Sequence, residues 1–187
     1  MKILISSYSP FGKGGYAIQV REIIKCILNK YPTIEIGIIC WNGWGIPMSD
    51  TFYSLEYICS KTDNRRMLTD DDYNILKNIK LFSAGPGQIQ GKKILGIIHK
   101  FVNIFKPDKL LIYQDIWPFE DFDMSLIQCK KYVYLPIHNE FVNDNDRRNL
   151  KFLPSFDKIA TFSRFGIEVL QTHGYYNATF INHIIAD

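Results

Sequence analysis

Along this chain, unbroken apolar runs alternate with stretches in which apolar residues recur every three or four positions. Residues 2–7 (KILISS) form the first run and predict a buried strand. Ile18, Ile23, Ile24, Ile27 and Leu28 then follow at helical spacing until Pro32 ends the helix. "IEIGIICW" (34–41) predicts a second strand and "IKLFSAG" (79–85) a short third one. Residues 47–80 are the least regular part. They carry Pro47, the polar run SKTDNRR, and Thr69 with Asp72 three positions on, a capping pair that predicts a helix start.

Order returns at 92–106, where Ile94, Ile97, Ile98, Phe101 and Phe105 make one apolar stripe. "DKLLIYQDI" (108–116) predicts a strand, "DMSLIQCKK" (123–131) a short helix and "YVYLPIH" (132–138) another strand. A helix is expected after Asp146, and "DKIATFS" (157–163) is a sixth strand. Ser163 is placed to cap the helix "RFGIEVLQTHG", which Gly174 would end in a left-handed turn, and "ATFINH" (178–183) predicts a seventh, buried strand. Strands of continuous Ile, Leu, Val and Phe character, separated by helices, imply a parallel sheet covered on both faces. The expected fold is α/β, a doubly wound, mainly parallel sheet in a single domain spanning 1–187.

Composition removes several function classes. With 47% hydrophobic and 14% aromatic residues, 187 residues can bury a full core, so the chain is not a disordered one. The 22 basic and 19 acidic residues are spread along the sequence without a basic block, so nucleic acid is not implied. Cys26, Cys40, Cys59 and Cys129 show no metal-ligand spacing and read as free thiols of a reducing compartment. No apolar segment approaches the ~20 residues of a membrane span, and the N-terminal run is too short for a signal-peptide core. A cytoplasmic protein is expected.

Candidate chemistry centres on "SPFGKGGYAIQV" (9–20). A loop after the first strand of such a sheet lies at the carboxyl edge, where backbone amides and the next helix start can receive an anion. Gly12 to Ala17 spell the dinucleotide pattern G-x-G-x-x-A. Against that pattern, Tyr8, Ser9, Pro10 and Phe11 separate the strand from its first glycine, and Trp41 and Asn42 stand where a ribose-binding acid is needed. A P-loop is excluded because no Gly-Lys-Ser/Thr closes the loop. Glycine could serve only a tight turn, but Gly14 and Gly15, set directly at the helix start, suit close approach of backbone to a diphosphate.

Several of these features together resemble the N-terminal domain of GT-B fold glycosyltransferases of the GT4 type. They are the first strand MKILISS, the Gly14–Gly15 loop opening a long helix, a strand ending in His138, and "FDKIATFSRFGIEVLQTHGYYNATFINHIIAD". The likeness covers most of 1–187 except about 47–80. Within the closing passage His183 and Asp187 keep the family's hinge pattern, while Asn182, Ile184 and Ile185 replace its proline, glycine and valine. The resemblance implies a retaining transfer of sugar from a nucleotide donor, such as a UDP- or GDP-sugar, to a hydroxyl acceptor on a glycan, lipid or protein. It implies no cofactor and no metal. These residues would be the acceptor-side, Rossmann-like half of the GT-B fold, inactive without the C-terminal domain that binds most of the donor. Gly14 and Gly15 would then meet the diphosphate and His138 would orient the sugar or acceptor, with Tyr16, Asn139, Glu140 and Arg164 as sugar or acceptor contacts.

Other readings stay open beside this one. The chain could be a flavodoxin-like module that binds a nucleotide or phosphate without catalysis, or a degenerate transferase half kept for protein interaction. His138 could be a structural histidine, as His99, His173 and His183 are expected to be. Asp-x-Asp pairs at 121–123 and 144–146 could hold a divalent ion, but both sit where acids cap helices. Arg164 could meet a phosphate or face solvent. The stripe on 92–106, flanked by Lys92, Lys93, Lys100 and Lys106, could lie on a membrane surface, although covering the sheet is the commoner task.

Overall fold

The structure, a computed structural model, describes residues 1–41, 47–61, 68–85, 92–115, 124–138 and 150–183. Seven strands form one parallel sheet: β1 (Lys2–Tyr8), β2 (Glu35–Trp41), β3 (Lys80–Ser83), β4 (Lys109–Tyr113), β5 (Lys130–Leu135), β6 (Lys158–Thr161) and β7 (Thr179–Phe180). Their order is β3-β2-β1-β4-β5-β6-β7, with Ile5 facing Ile38 on one side and Leu111 on the other. Among the described residues five helices flank the sheet: α1 (Gly15–Lys30), α2 (Leu55–Lys61), α3 (Asp70–Leu76), α4 (Lys92–Phe105) and α5 (Arg164–Thr172). The fold is Rossmann-like, as the alternation predicts.

Residue alternation along each strand builds two cores. Ile5, Ile36, Ile38, Leu81 and Tyr113 point to the face carrying α1, α2 and α3. Leu4, Ile39, Phe82, Leu110, Ile112 and Val133 point to the opposite face, where α4, the 150–156 segment and α5 lie. Most of the α4 stripe covers the sheet there: Ile94, Ile98, Phe101 and Phe105 are buried and Ile97 is partly buried against the same core. Among the described residues no helix is long and apolar enough to cross one.

Local signals act as expected. Thr69 and Asp72 make a reciprocal capping box at α3. Ser163 Oγ accepts the Gly166 amide at 2.9 Å, and Gly174 turns at φ 89° after α5. Three expectations need correction. Met124–Cys129 forms turns and no helix, within a segment whose Ile127 amide reaches only back to Met124. Pro136 lacks a ladder donor and β5 stops at Leu135, so His138 stands three residues beyond the strand. The seventh strand is two residues long and lies exposed at the sheet edge, with Phe180 and Ile181 open to solvent.

The irregular excursion between β2 and β3 contributes α2 and α3, and Tyr53 bridges antiparallel to Leu81. The helix expected after Asp146 lies outside the described residues.

Candidate functional site

In this strand order the chain winds outward from β1 to β3 and then returns to β4, so consecutive crossovers leave β1 and β4 in opposite directions. A crevice between their carboxyl ends follows from that reversal, and open α/β sheets bind ligands there. The glycine loop leaves β1 at this point. Gly14 is the N-cap of α1, at φ −73° and ψ 159°, with no side-chain cap on the first amides. A Cβ added to Gly14 or to Gly15 would meet nothing within 4 Å, and neither residue is among the positive-φ glycines. The fold itself therefore does not require glycine at either position. What glycine preserves is open space in front of the first amides at the positive end of a 16-residue helix.

Arg21, one turn further along α1, holds the loop in place. Its Nη1 donates to the carbonyls of Pro10 at 2.7 Å and Gly12 at 3.0 Å, while its Nε lies 3.6 Å from Asp72 Oδ2. Lys25 joins Asp72 at 2.9 Å. Burial pushes the Asp72 carboxyl up, but its bonds with Lys25 and Thr69 and the Arg21 charge outweigh this and hold it below the usual value. The α3 cap and the glycine loop thus share one carboxylate.

On the β4 side of the crevice stands Asp115, two residues past the strand. Its Oδ1 accepts the Tyr16 hydroxyl at 2.5 Å, closing α1's first turn onto β4. Burial, and then this bond to a carboxylate, raise the Tyr16 phenol far above its ordinary value. Tyr8 is raised by burial and by the Asp115 charge. Near the end of β1, Ser7 Oγ is wholly buried with no hydrogen-bond partner among the described residues.

From Tyr16 a row of rings crosses the sheet edge. Tyr16 lies 4.8 Å from Tyr8 and 5.1 Å from Tyr113, and Tyr113 stacks on Tyr134 at 5.0 Å. Tyr134 donates to the Ile181 carbonyl at 2.9 Å, and burial pushes its phenol up to about 12. Next come His183, at 6.1 Å from Tyr134, then Phe162 at 4.3 Å from His183, and His138 at 5.5 Å from Phe162. Burial and the nearby His138 both lower the His183 pKa below 6.5.

The sequence-predicted residues therefore fall into two groups on one edge. Gly14, Gly15 and Tyr16 gather at β1 and β4. His138, exposed, stands past β5, about 10 Å along at two strand spacings. Arg164, also exposed, is on the first turn of α5 after β6. Asn139, Glu140 and both Asp-x-Asp pairs lie outside the described residues. Sequence reasoning missed Asp115 and Arg21, and it named His183 only for the hinge pattern and as a structural histidine, not as a neighbour of His138. Asp115 carried a usable signal, a carboxylate just after a strand of a parallel sheet, whereas the other two depend on packing.

Trp41 ends β2 by donating its indole N–H to Ser6 at 2.7 Å in the core, so a buried aromatic stands where a dinucleotide fold needs its acid. Among the described residues no three His, Cys, Asp or Glu side chains converge as a metal centre would need, and the four cysteines are free. No family model matches the chain, and no curated protein matches it.

Proposed function

We propose that this chain is the acceptor-side half of a retaining, nucleotide-sugar-dependent glycosyltransferase. Its start of α1 would receive the donor diphosphate and its His138 would orient sugar or acceptor. The observation that carries the reading is the Gly14–Gly15 pair, which the fold does not need and which keeps the amides of a long helix open at the strand-order reversal. Asp115, by accepting the Tyr16 hydroxyl, holds the first turn of α1 against the end of β4 and so fixes the position of those amides. In the reaction the bond between the anomeric carbon and the diphosphate oxygen breaks, and one forms to the acceptor oxygen with the acceptor proton released. The donor-binding domain of a GT-B enzyme would supply the remaining donor contacts.

Calorimetry with UDP, GDP and their sugars tests the reading on this chain. Binding in the high micromolar range or weaker is expected, and a sub-micromolar constant would favour a self-sufficient binding module. In an enzyme carrying both halves, His138→Ala should lower kcat by roughly 10² with an unchanged melting temperature, the usual scale for a lost acid, base or polar orienter. Normal turnover with a lowered melting temperature would make His138 structural.

A further inference from the structure

Parallel strands all begin at one edge, so the amino edge of this sheet gathers seven separate stretches of chain: 1–2, 30–35, 77–80, 106–109, 128–131, 157–158 and 173–178. Every one of these residues is described. Of the chain's 22 basic and 19 acidic residues, nine and three lie in them, which leaves 13 and 16 elsewhere. The edge is six charges positive and the rest of the chain three negative. The separation arises only on folding, because the stretches lie far apart in sequence.

Helix polarity accounts for three of these cations. Lys30, Lys77 and Lys106 stand at the ends of α1, α3 and α4, where a cation complements the negative terminus. It does not account for Lys2, Lys80, Lys109, Lys130 and Lys158, each the first residue of a strand. Lys109 and Lys130 even stand opposite each other in register, and like charges so placed cost stability. Carboxylates relieve part of this row. Glu35 pairs with Lys80 and lies 3.4 Å from Lys2, and Asp157 holds Lys130 at 2.8 Å. Among the described residues no carboxylate meets Lys109 or Lys158, and Lys109 lies over the Tyr132 ring.

We infer that the amino edge docks an extended acidic segment of a partner protein, a run of aspartates and glutamates. Its length follows from the sheet. Six steps between strands at about 4.8 Å make ~29 Å, which an extended chain at ~3.3 Å per residue covers in about nine residues. Its form follows from the twist. Neighbouring strands rotate by roughly 20–25°, so the strand starts trace an arc that a flexible chain follows and a planar membrane meets only in part. Its chemistry follows from the side chains. Lysine alone, without arginine, suits carboxylates met singly and lacks the fork that reads the phosphates of a nucleic acid. The inference does not depend on the sugar-transfer reading.

A 12-residue oligoglutamate and an oligoglutamine control, titrated into the full chain and followed by NMR, test it. Oligoglutamate should bind and shift the amides of Lys109, Lys130 and Lys158, and the control should do neither. K109E/K158E should weaken binding at least tenfold. K109Q/K158Q should weaken it at least threefold without lowering the melting temperature, since it removes the repulsion at Lys130. K13E/K93E makes the same change of net charge at the opposite edge, where Lys13 follows β1 and Lys93 lies in the first turn of α4. It should weaken binding less than twofold, because a Debye length of about 8 Å screens charges that distant. Equal losses at the two edges would make net charge the attraction and overturn the proposal. So would no binding, or tighter binding of a 12-nucleotide oligothymidylate or of phosphatidylserine vesicles than of oligoglutamate.

Discussion

The Tyr16 hydroxyl donates to Asp115 Oδ1 at 2.5 Å, joining the first turn of α1 to the end of β4 across 99 positions of sequence. This bond spans the crevice at which the strand order reverses. A double-mutant cycle with Tyr16→Phe and Asp115→Asn should show a coupling of about 1 kcal/mol or more in urea unfolding, the usual scale for a hydrogen bond to a charged group. Additive losses would mean that the contact contributes nothing to holding the loop.

At Gly15 the fold and the proposed ligand make opposite demands. Because its φ is not in the left-handed region and no atom lies within 4 Å of an added Cβ, Gly15→Ala should raise stability by about 0.4–1 kcal/mol through the unfolded chain. Gly15→Val should leave the fold intact while reducing binding of UDP- or GDP-sugars at least tenfold. Thermal melts and calorimetry on the same samples separate the two effects. Unchanged nucleotide-sugar binding would remove the loop from the site.

Gly166 is the contrasting glycine. A Cβ there would lie 2.4 Å from Thr161 Oγ1 and 3.0 Å from its Cγ2, so α5 approaches β6 only because the side chain is absent. Gly166→Ala should cost about 1–3 kcal/mol by overpacking. Adding Thr161→Ala should recover part of that loss, because Thr161 Oγ1 is buried without a hydrogen-bond partner and its removal opens the space. A double variant no more stable than the sum of the two would refute the contact as the cause.

His183 makes stability depend on pH. Burial, and secondarily the charge of His138, lower its pKa below 6.5, so between the folded and unfolded values the unfolded chain holds more protons. Stability from this group is complete above pH 6.5 and is lost as pH falls through the lowered folded value. The difference in melting temperature between pH 7.5 and 5.5 should shrink in His183→Gln. In His138→Gln, the His183 imidazole followed by NMR should titrate at a higher pH. An unmoved titration would show that the two rings do not share a field.

The sequence by itself determined whatever is written within a few residues. Apolar runs set six of the seven strands to within two or three positions. The Thr69–Asp72 box, the Ser163 cap and the Gly174 turn were all legible because a cap binds amides two or three residues away. Parallel pairing was legible too, since strands apolar on both faces need cover on both. The candidate loop at Gly14 and Gly15 could be located this way, but not the reason for its glycines, which rests on the empty space around them.

Only the tertiary structure decided what strand order and crossover side bring together. Asp115 becomes Tyr16's partner because β4 pairs with β1, and Arg21 braces the loop because α3 presents Asp72 to it. His183 joins His138 around Phe162 because β5, β6 and β7 end side by side. The exposure of β7 among the described residues has the same origin. A run of apolar residues states that a segment is to be covered, but what covers it depends on contacts between residues distant in sequence, which no local pattern encodes.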